Sequence, residues 1–219
     1  MVYMIREESE KTSADIIRET AYNLPYFAME DLFPIDISGA YLKILLYRFA
    51  RNKEIIRLKR GVYVAKEYID KIEKEGNLNS YLEFLAVKMY EPTYLSAEYV
   101  LSEHGILTEN IQAFTGVSRN KTKKFINNFG VFNYKHMKDD LFTGFNVVKK
   151  GRFLISKASL AKALFDFLYL RKNIISNEES FLEFRLNAGN ITNKDIKELK
   201  RYVDIEGSLK MKNFFNYLK

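Results

Sequence analysis

The chain has 219 residues, of which 47% are hydrophobic and 29% charged, with no cysteine and a formal net charge of +7. The missing cysteines exclude disulfides, thiolate metal sites and cysteine nucleophiles, and they fit a reducing compartment. The length allows one large domain or two small ones, with ordinary globular composition and room for a core.

The first residues, "MVYMIREESEKTSADIIRE", have no apolar run after a basic start and do not read as a signal peptide. No stretch approaches the roughly twenty apolar residues of a membrane span, so a cytoplasmic protein is expected. Residues 12–23 predict a helix capped by Thr12 or Ser13, with Ile16, Ile17 and Thr20 on one face. Pro25 restarts the chain, "YFAMEDLF" predicts a short second helix, and Pro34 ends it. "DISGAYLKILLYRFARN" predicts a third helix with Asp36 or Ser38 as N-cap. In it Leu42, Leu45, Leu46 and Phe49 fall at i, i+3, i+4, i+7, and Asn52 is the expected left-handed stop. "EIIRLK" and "VYVAK" then predict two strands of a hairpin turning at Arg60-Gly61. Residues 66–77 are charged, end in Gly76-Asn77, and read as a linker or connecting helix. The expected domains are therefore 1–76 and 77–219.

Beyond that boundary, residues 78–90 predict a helix that Pro92 breaks. "TYLS" is extended, and Ser96 is the expected cap of a helix that Gly105 closes. Strands are expected in "IQAFTGV", "GVFNYKHM", "LFTGFNVV" and "RFLI", with "KDD" and "KKG" as hairpin connections. "SKASLAKALFDFLYLRK" is an apolar helix capped by Ser156 or Ser159, and three amphipathic helices follow Asn177. The fold class expected is α+β. An N-terminal winged helix-turn-helix precedes a C-terminal domain of mixed helices and antiparallel sheet.

The positive charge is not spread evenly. Residues 1–35 carry a net −4, residues 36–66 a net +6, and residues 112–152 a net +7. Such segments are either nucleic-acid surfaces or solvated lysine-rich faces. Helix, short helix, basic helix, basic hairpin is the order of a winged helix, in which the third helix enters the major groove and the hairpin follows the backbone. The candidate recognition-helix residues are Ser38, Gly39, Lys43, Tyr47, Arg48 and Arg51. Small residues at its start admit close approach, and Lys43, Tyr47 and Arg51 recur every fourth position. The candidate wing residues are Arg57, Lys59 and Arg60, with Arg57 and Lys59 on one face by strand parity and Arg60 at the tip. A second basic surface is expected from Arg119, Lys121, Lys123, Lys124, Lys149, Lys150 and Arg152. The aromatics among them (Phe125, Phe129, Phe132 and Tyr134) fit a sheet core better than a stacking platform.

No catalytic constellation emerges. His104 sits at a helix end, where it suits a capping role, and His136 lies on a strand without an evident partner. Asp139-Asp140 reads as a turn, and Asp166, inside an apolar helix, needs a partner, such as an arginine or a neighbouring backbone group. No metal-ligand spacing or phosphate-cradling glycine loop is present, so the expectation is a protein that is not an enzyme and has no metal and no cofactor.

"RLKRGVYVAK", "YLSAEYVLSEHGILTE", "FGVFNYKHMKDDLFTGF" and "KASLAKALFDFLYL" together resemble the AbiEi family, antitoxins and transcriptional regulators of type IV, abortive-infection toxin–antitoxin systems. The resemblance spans about residues 12–175. It departs at Leu160-Ala161, where the family often has Pro-Glu, and at Asn52-Lys53, where a glycine usually precedes the first wing strand. The resemblance implies a repressor that binds inverted repeats of double-stranded DNA in its own promoter. It also implies a C-terminal antitoxin domain opposing an adjacently encoded nucleotidyltransferase toxin without a stable complex, in phage defence. The alternatives left by the residues are a protein-interaction module that binds the toxin directly, or an RNA-binding protein using the 119–152 region.

Overall fold

A computed structural model describes residues 11–35, 37–109 and 113–218. The chain is mixed α+β and separates into two compact units, 1–78 and 79–219. Asp36, an expected cap, and Ile111-Gln112, expected in a strand, lie outside the described residues.

The first unit opens with α1 (Ser13–Asn23). Thr12 caps it reciprocally: its hydroxyl accepts from the Asp15 amide at 3.3 Å, and the Asp15 carboxylate accepts from the Thr12 amide at 3.2 Å. Ile17 and Ala21, four residues apart, are the buried pair, whereas Ile16 is exposed. The expected second helix is a single 3-10 turn (Met29–Leu32) preceded by a two-residue strand, β1 (Phe27–Ala28). Because Phe27 and Ala28 are taken into a strand, only Met29–Leu32 is left for the helical turn before Pro34. α2 (Gly39–Arg51) follows, capped by Ser38, whose hydroxyl accepts from the Tyr41 amide at 3.2 Å. Leu42, Leu45, Leu46 and Phe49 are buried, each contributing about 1.5–3 kcal/mol by leaving water.

Asn52 ends α2 in right-handed geometry, and the left-handed residue is Lys53, at φ 61°. β2 (Ile55–Lys59) and β3 (Val62–Ala65) form the hairpin, and β1 adds to β3, giving the order β1-β3-β2. Phe27 and Tyr63 stack across β1 and β3 at 5.8 Å. The segment expected as a linker or connecting helix is a helix, α3 (Lys66–Lys74), whose Tyr68, Ile69 and Ile72 are buried within this unit. Its charged residues gave it a linker's composition, while three apolar residues on one side gave it a core face.

α4 (Leu78–Lys88) starts on the last residue of the first unit and runs into the second, which goes on with β4 (Thr93–Leu95), α5 (Ala97–Glu103), β5 (Phe114–Ser118), β6 (Lys123–Asn127) and β7 (Gly130–His136). The second unit continues with β8 (Phe145–Lys150), β9 (Phe153–Ala158) and α6 (Leu160–Leu170), then α7 (Glu178–Leu182), α8 (Asn193–Glu206) and α9 (Leu209–Tyr217). The sheet order is β6-β7-β5-β4-β9-β8. The sheet is mixed and not antiparallel: β5 runs parallel to β7, and β4 parallel to β9. Those pairings need crossovers from distant sequence, which local alternation does not reveal. Asp139–Leu141 is a 3-10 turn and not a hairpin, because β7 and β8 are not neighbours, whereas Gly151-Arg152 does turn β8 into β9. α6 is buried around its whole circumference from Ala161 to Leu168, and Ser159 caps it.

Candidate nucleic-acid interface

α2 turns a cationic face to solvent. Helical residues advance about 100° each, so the line opposite Leu42, Leu45, Leu46 and Phe49 runs through Ala40, Ile44, Tyr47 and Arg51. Lys43 flanks that line on one side, and Arg48 and Tyr41 flank it on the other. All seven are exposed, Tyr47 at 70%. Ser38 and Gly39 are also exposed at the helix start, and a side chain at Gly39 would meet only open space. α2 contains no acidic residue. Among the described residues, Lys43, Arg48 and Arg51 have no carboxylate in ion-pair contact. Arg48 and Arg51 also suit the negative end of the helix dipole. Tyr41 and Ile44, which the spacing from the buried stripe places on the outward face, are exposed there beside the cations.

The helix is held from behind. Arg18 Nε donates to Glu54 at 2.8 Å, and the Arg18 guanidinium lies 4.7 Å from the Phe49 ring centre. The hydrogen bond from Arg18 holds the Glu54 carboxyl below its ordinary value, opposed by partial burial. This links α1 to the α2–β2 corner.

On the hairpin, Gly61 takes φ 76° at the turn, and Arg60 is exposed at the tip. The expectation that Arg57 and Lys59 share a face is corrected. The ladder shifts register between them: Arg57 pairs with Tyr63, and Lys59 with Val62. Paired residues point the same way and successive residues opposite ways, so the bulge sends the two cations to opposite faces. Arg57 is exposed, with Nε donating to the Lys59 carbonyl at 3.3 Å. Lys59 is half-buried, and burial pushes its ammonium below the ordinary value.

The seven residues of the expected second surface do not come together. Arg119, Lys121, Lys123 and Lys124 lie on or just before β6, at one edge of the six-stranded sheet, and Lys149, Lys150 and Arg152 lie on or just after β8, at the other. Arg119 and Lys150 make ion pairs inside the unit. Arg119 pairs with Asp139 at 3.2 Å, and Lys150 pairs with the buried Glu83 at 2.9 Å. Glu83 also takes hydrogen bonds from Lys157 at 2.9 Å and Tyr99 at 2.8 Å. Burial pushes its carboxyl up, but those three donors outweigh it and leave the carboxyl below its ordinary value. Phe132 and Tyr134 are buried in the sheet, and Phe125 packs edge-on to Tyr134 at 5.7 Å.

Asp166 and His136, singled out in the sequence, both have partners within the second unit. Asp166 pairs with a lysine and not an arginine: Lys162 Nζ donates to it at 2.6 Å, Ser96 Oγ at 2.6 Å and Tyr94 OH at 3.0 Å. Ser96, the expected cap, makes no side-chain cap to α5; its hydroxyl is directed at Asp166. Burial pushes Asp166 up and Lys162 down, each opposed by its partner. His136 Nδ1 lies 3.0 Å from the Arg119 carbonyl, and His104 sits at the C-cap of α5. Among the described residues, no three His, Asp or Glu side chains are grouped to hold a metal, and no helix is long and apolar enough to cross a membrane. No protein-family model matches the chain, and no curated protein gives a significant match.

Proposed function

We propose that the first unit is a winged helix that binds double-stranded DNA, with α2 in the major groove and the β2–β3 hairpin on the backbone. The observation that carries this reading is the acid-free, outward-facing cationic side of α2, followed directly by a hairpin with Arg57 and Arg60 exposed. Phosphates would be met by Lys43, Arg48, Arg51, Arg57 and Arg60, and base edges by the residues of the first two turns. The protein would act as a repressor of its own operon and as the antitoxin of a type IV, abortive-infection system, opposing a nucleotidyltransferase toxin. This half rests on the AbiEi-like phrases of residues 94–109 and 162–170, and no catalysis is assigned to the chain. The test is a gel shift of the full chain on DNA upstream of its gene. Retardation that weakens steeply with salt supports the reading, and equal, weak binding of that duplex and random duplex overturns it.

A second reading, direct binding of the toxin, is favoured by one feature. Val147 (62% exposed) and Leu154 (56% exposed) share one face of the β8–β9 hairpin, at a sheet edge. Co-purification with the neighbouring gene product supports it, and independent elution counts against it.

A further inference from the structure

The middle of the cationic face of α2 is aliphatic. Ile44 lies on the line opposite the buried stripe and is 56% exposed, with Ala40 one turn before it and exposed as well. Lys43 stands on one side of that line and Arg48 on the other, and Arg51 follows two turns later. An isoleucine there gains nothing from water, and it does gain when a partner covers it. The partner must be anionic at its margins, to meet the cations, and apolar at its centre, to meet Ile44. The major groove of DNA is such a surface, because phosphates border it and thymine presents a C5-methyl group on its floor. Gly39 and Ala40 carry no bulk that would hold the start of the helix away.

We infer that Ile44, with Ala40, is a specificity-determining contact that reads thymine through its 5-methyl group. The inference rests on the DNA-binding reading and adds what is read: a methyl-bearing base, distinguished from uracil as well as from cytosine. The cations beside Ile44 supply affinity for any duplex, and the aliphatic side chain supplies the sequence term.

The experiment begins with selection of a preferred duplex from a random pool by the full chain. Each thymine of that duplex is then replaced singly by deoxyuridine, which removes the methyl and keeps the base pair and O4. At one or two positions per bound protomer, affinity is expected to fall about fourfold, the worth of one buried methyl-sized group. In Ile44→Ser the thymine-to-uracil ratio at one of those positions should collapse to near one, with an unchanged melting temperature. Lys43→Ala should weaken thymine and uracil duplexes alike. Duplex binding that is indifferent to every methyl overturns this inference alone. A methyl preference that survives intact in Ile44→Ser overturns the assignment to Ile44. Failure to enrich or retard any duplex overturns the DNA-binding reading together with it.

Discussion

The two units handle charge in opposite ways. Every buried polar or charged side chain among the described residues belongs to the second unit: Glu83, Thr93, Ser96, Thr115, Ser118, Lys162 and Asp166. The described core of the first unit is apolar throughout, with Ile17, Phe27, Leu42, Leu46 and Ile72 among its members. Its cations on α2 and at the hairpin tip stand in solvent. The second unit draws Lys150, Lys157, Lys162, Arg171 and Lys172 into ion pairs with Glu83, Glu103, Asp166, Glu98 and Glu206. Positive charge therefore means different things in the two units. In the first unit it is available to a partner, and in the second much of it specifies how strands and helices meet.

The largest effect expected from this contrast is at the buried pair. Lys162→Met leaves Asp166 as an uncompensated carboxylate with no exposure, at a cost of about 3–5 kcal/mol. Urea denaturation should show the loss in the second unit, and Lys162→Met/Asp166→Leu should recover a large part of it. The pH dependence has a definite sign. Burial raises the Asp166 pKa in the folded state, so the folded form holds a proton more tightly than the unfolded chain. The gap between Lys162→Met and the natural protein should therefore narrow as pH falls from 7 towards the ordinary carboxylate range. A gap that is constant or widening would contradict a buried carboxylate at this position.

A smaller loss is expected from Lys150→Ala, which takes one donor from the buried Glu83. A hydrogen bond to a charged group contributes about 1.5–3 kcal/mol, and partial exposure of Lys150 places the effect at or below the lower end. Because the Glu83 carboxyl lies below its ordinary value of 4.5, its stabilisation is present above that pH and disappears as pH falls through the lowered value. A thermal melt over pH 3–7 checks both. In the first unit, Ser38→Ala removes the cap of α2 and should cost about 1 kcal/mol, read by the same melt. Lys53→Gly should stabilise by about 0.5–1 kcal/mol, since Lys53 holds a left-handed backbone that glycine adopts freely.

What the sequence revealed follows the range of the interactions. The buried stripe of α2, the Ser38 and Ser159 caps and the Gly61 turn are set within a few residues, and they were legible. The strand order is not local. β6 was not recognised as a strand, because "KKFIN" carries two lysines at its start and alternates weakly. The parallel pairing of β5 with β7 and the placement of the two lysine sets at opposite sheet edges depend on chain crossings that no window of residues encodes. The bulge between Arg57 and Lys59 was hidden for a related reason: strand parity presumes an unbroken ladder. Asp166 signalled its need for a partner. That Tyr94 and Ser96, about seventy residues away, would supply two of its hydrogen bonds was visible only in the fold.

The central claim is that the exposed cations of the first unit bind duplex DNA. Its most direct test is the affinity of the full chain for its upstream duplex as a function of salt, compared with a Lys43→Ala/Arg51→Ala/Arg57→Ala/Arg60→Ala variant of unchanged melting temperature. The account predicts much weaker binding by the variant, and a slope of log affinity against log salt that flattens by about one for each phosphate left unneutralised. Equal affinity and equal slope for the two proteins would contradict it.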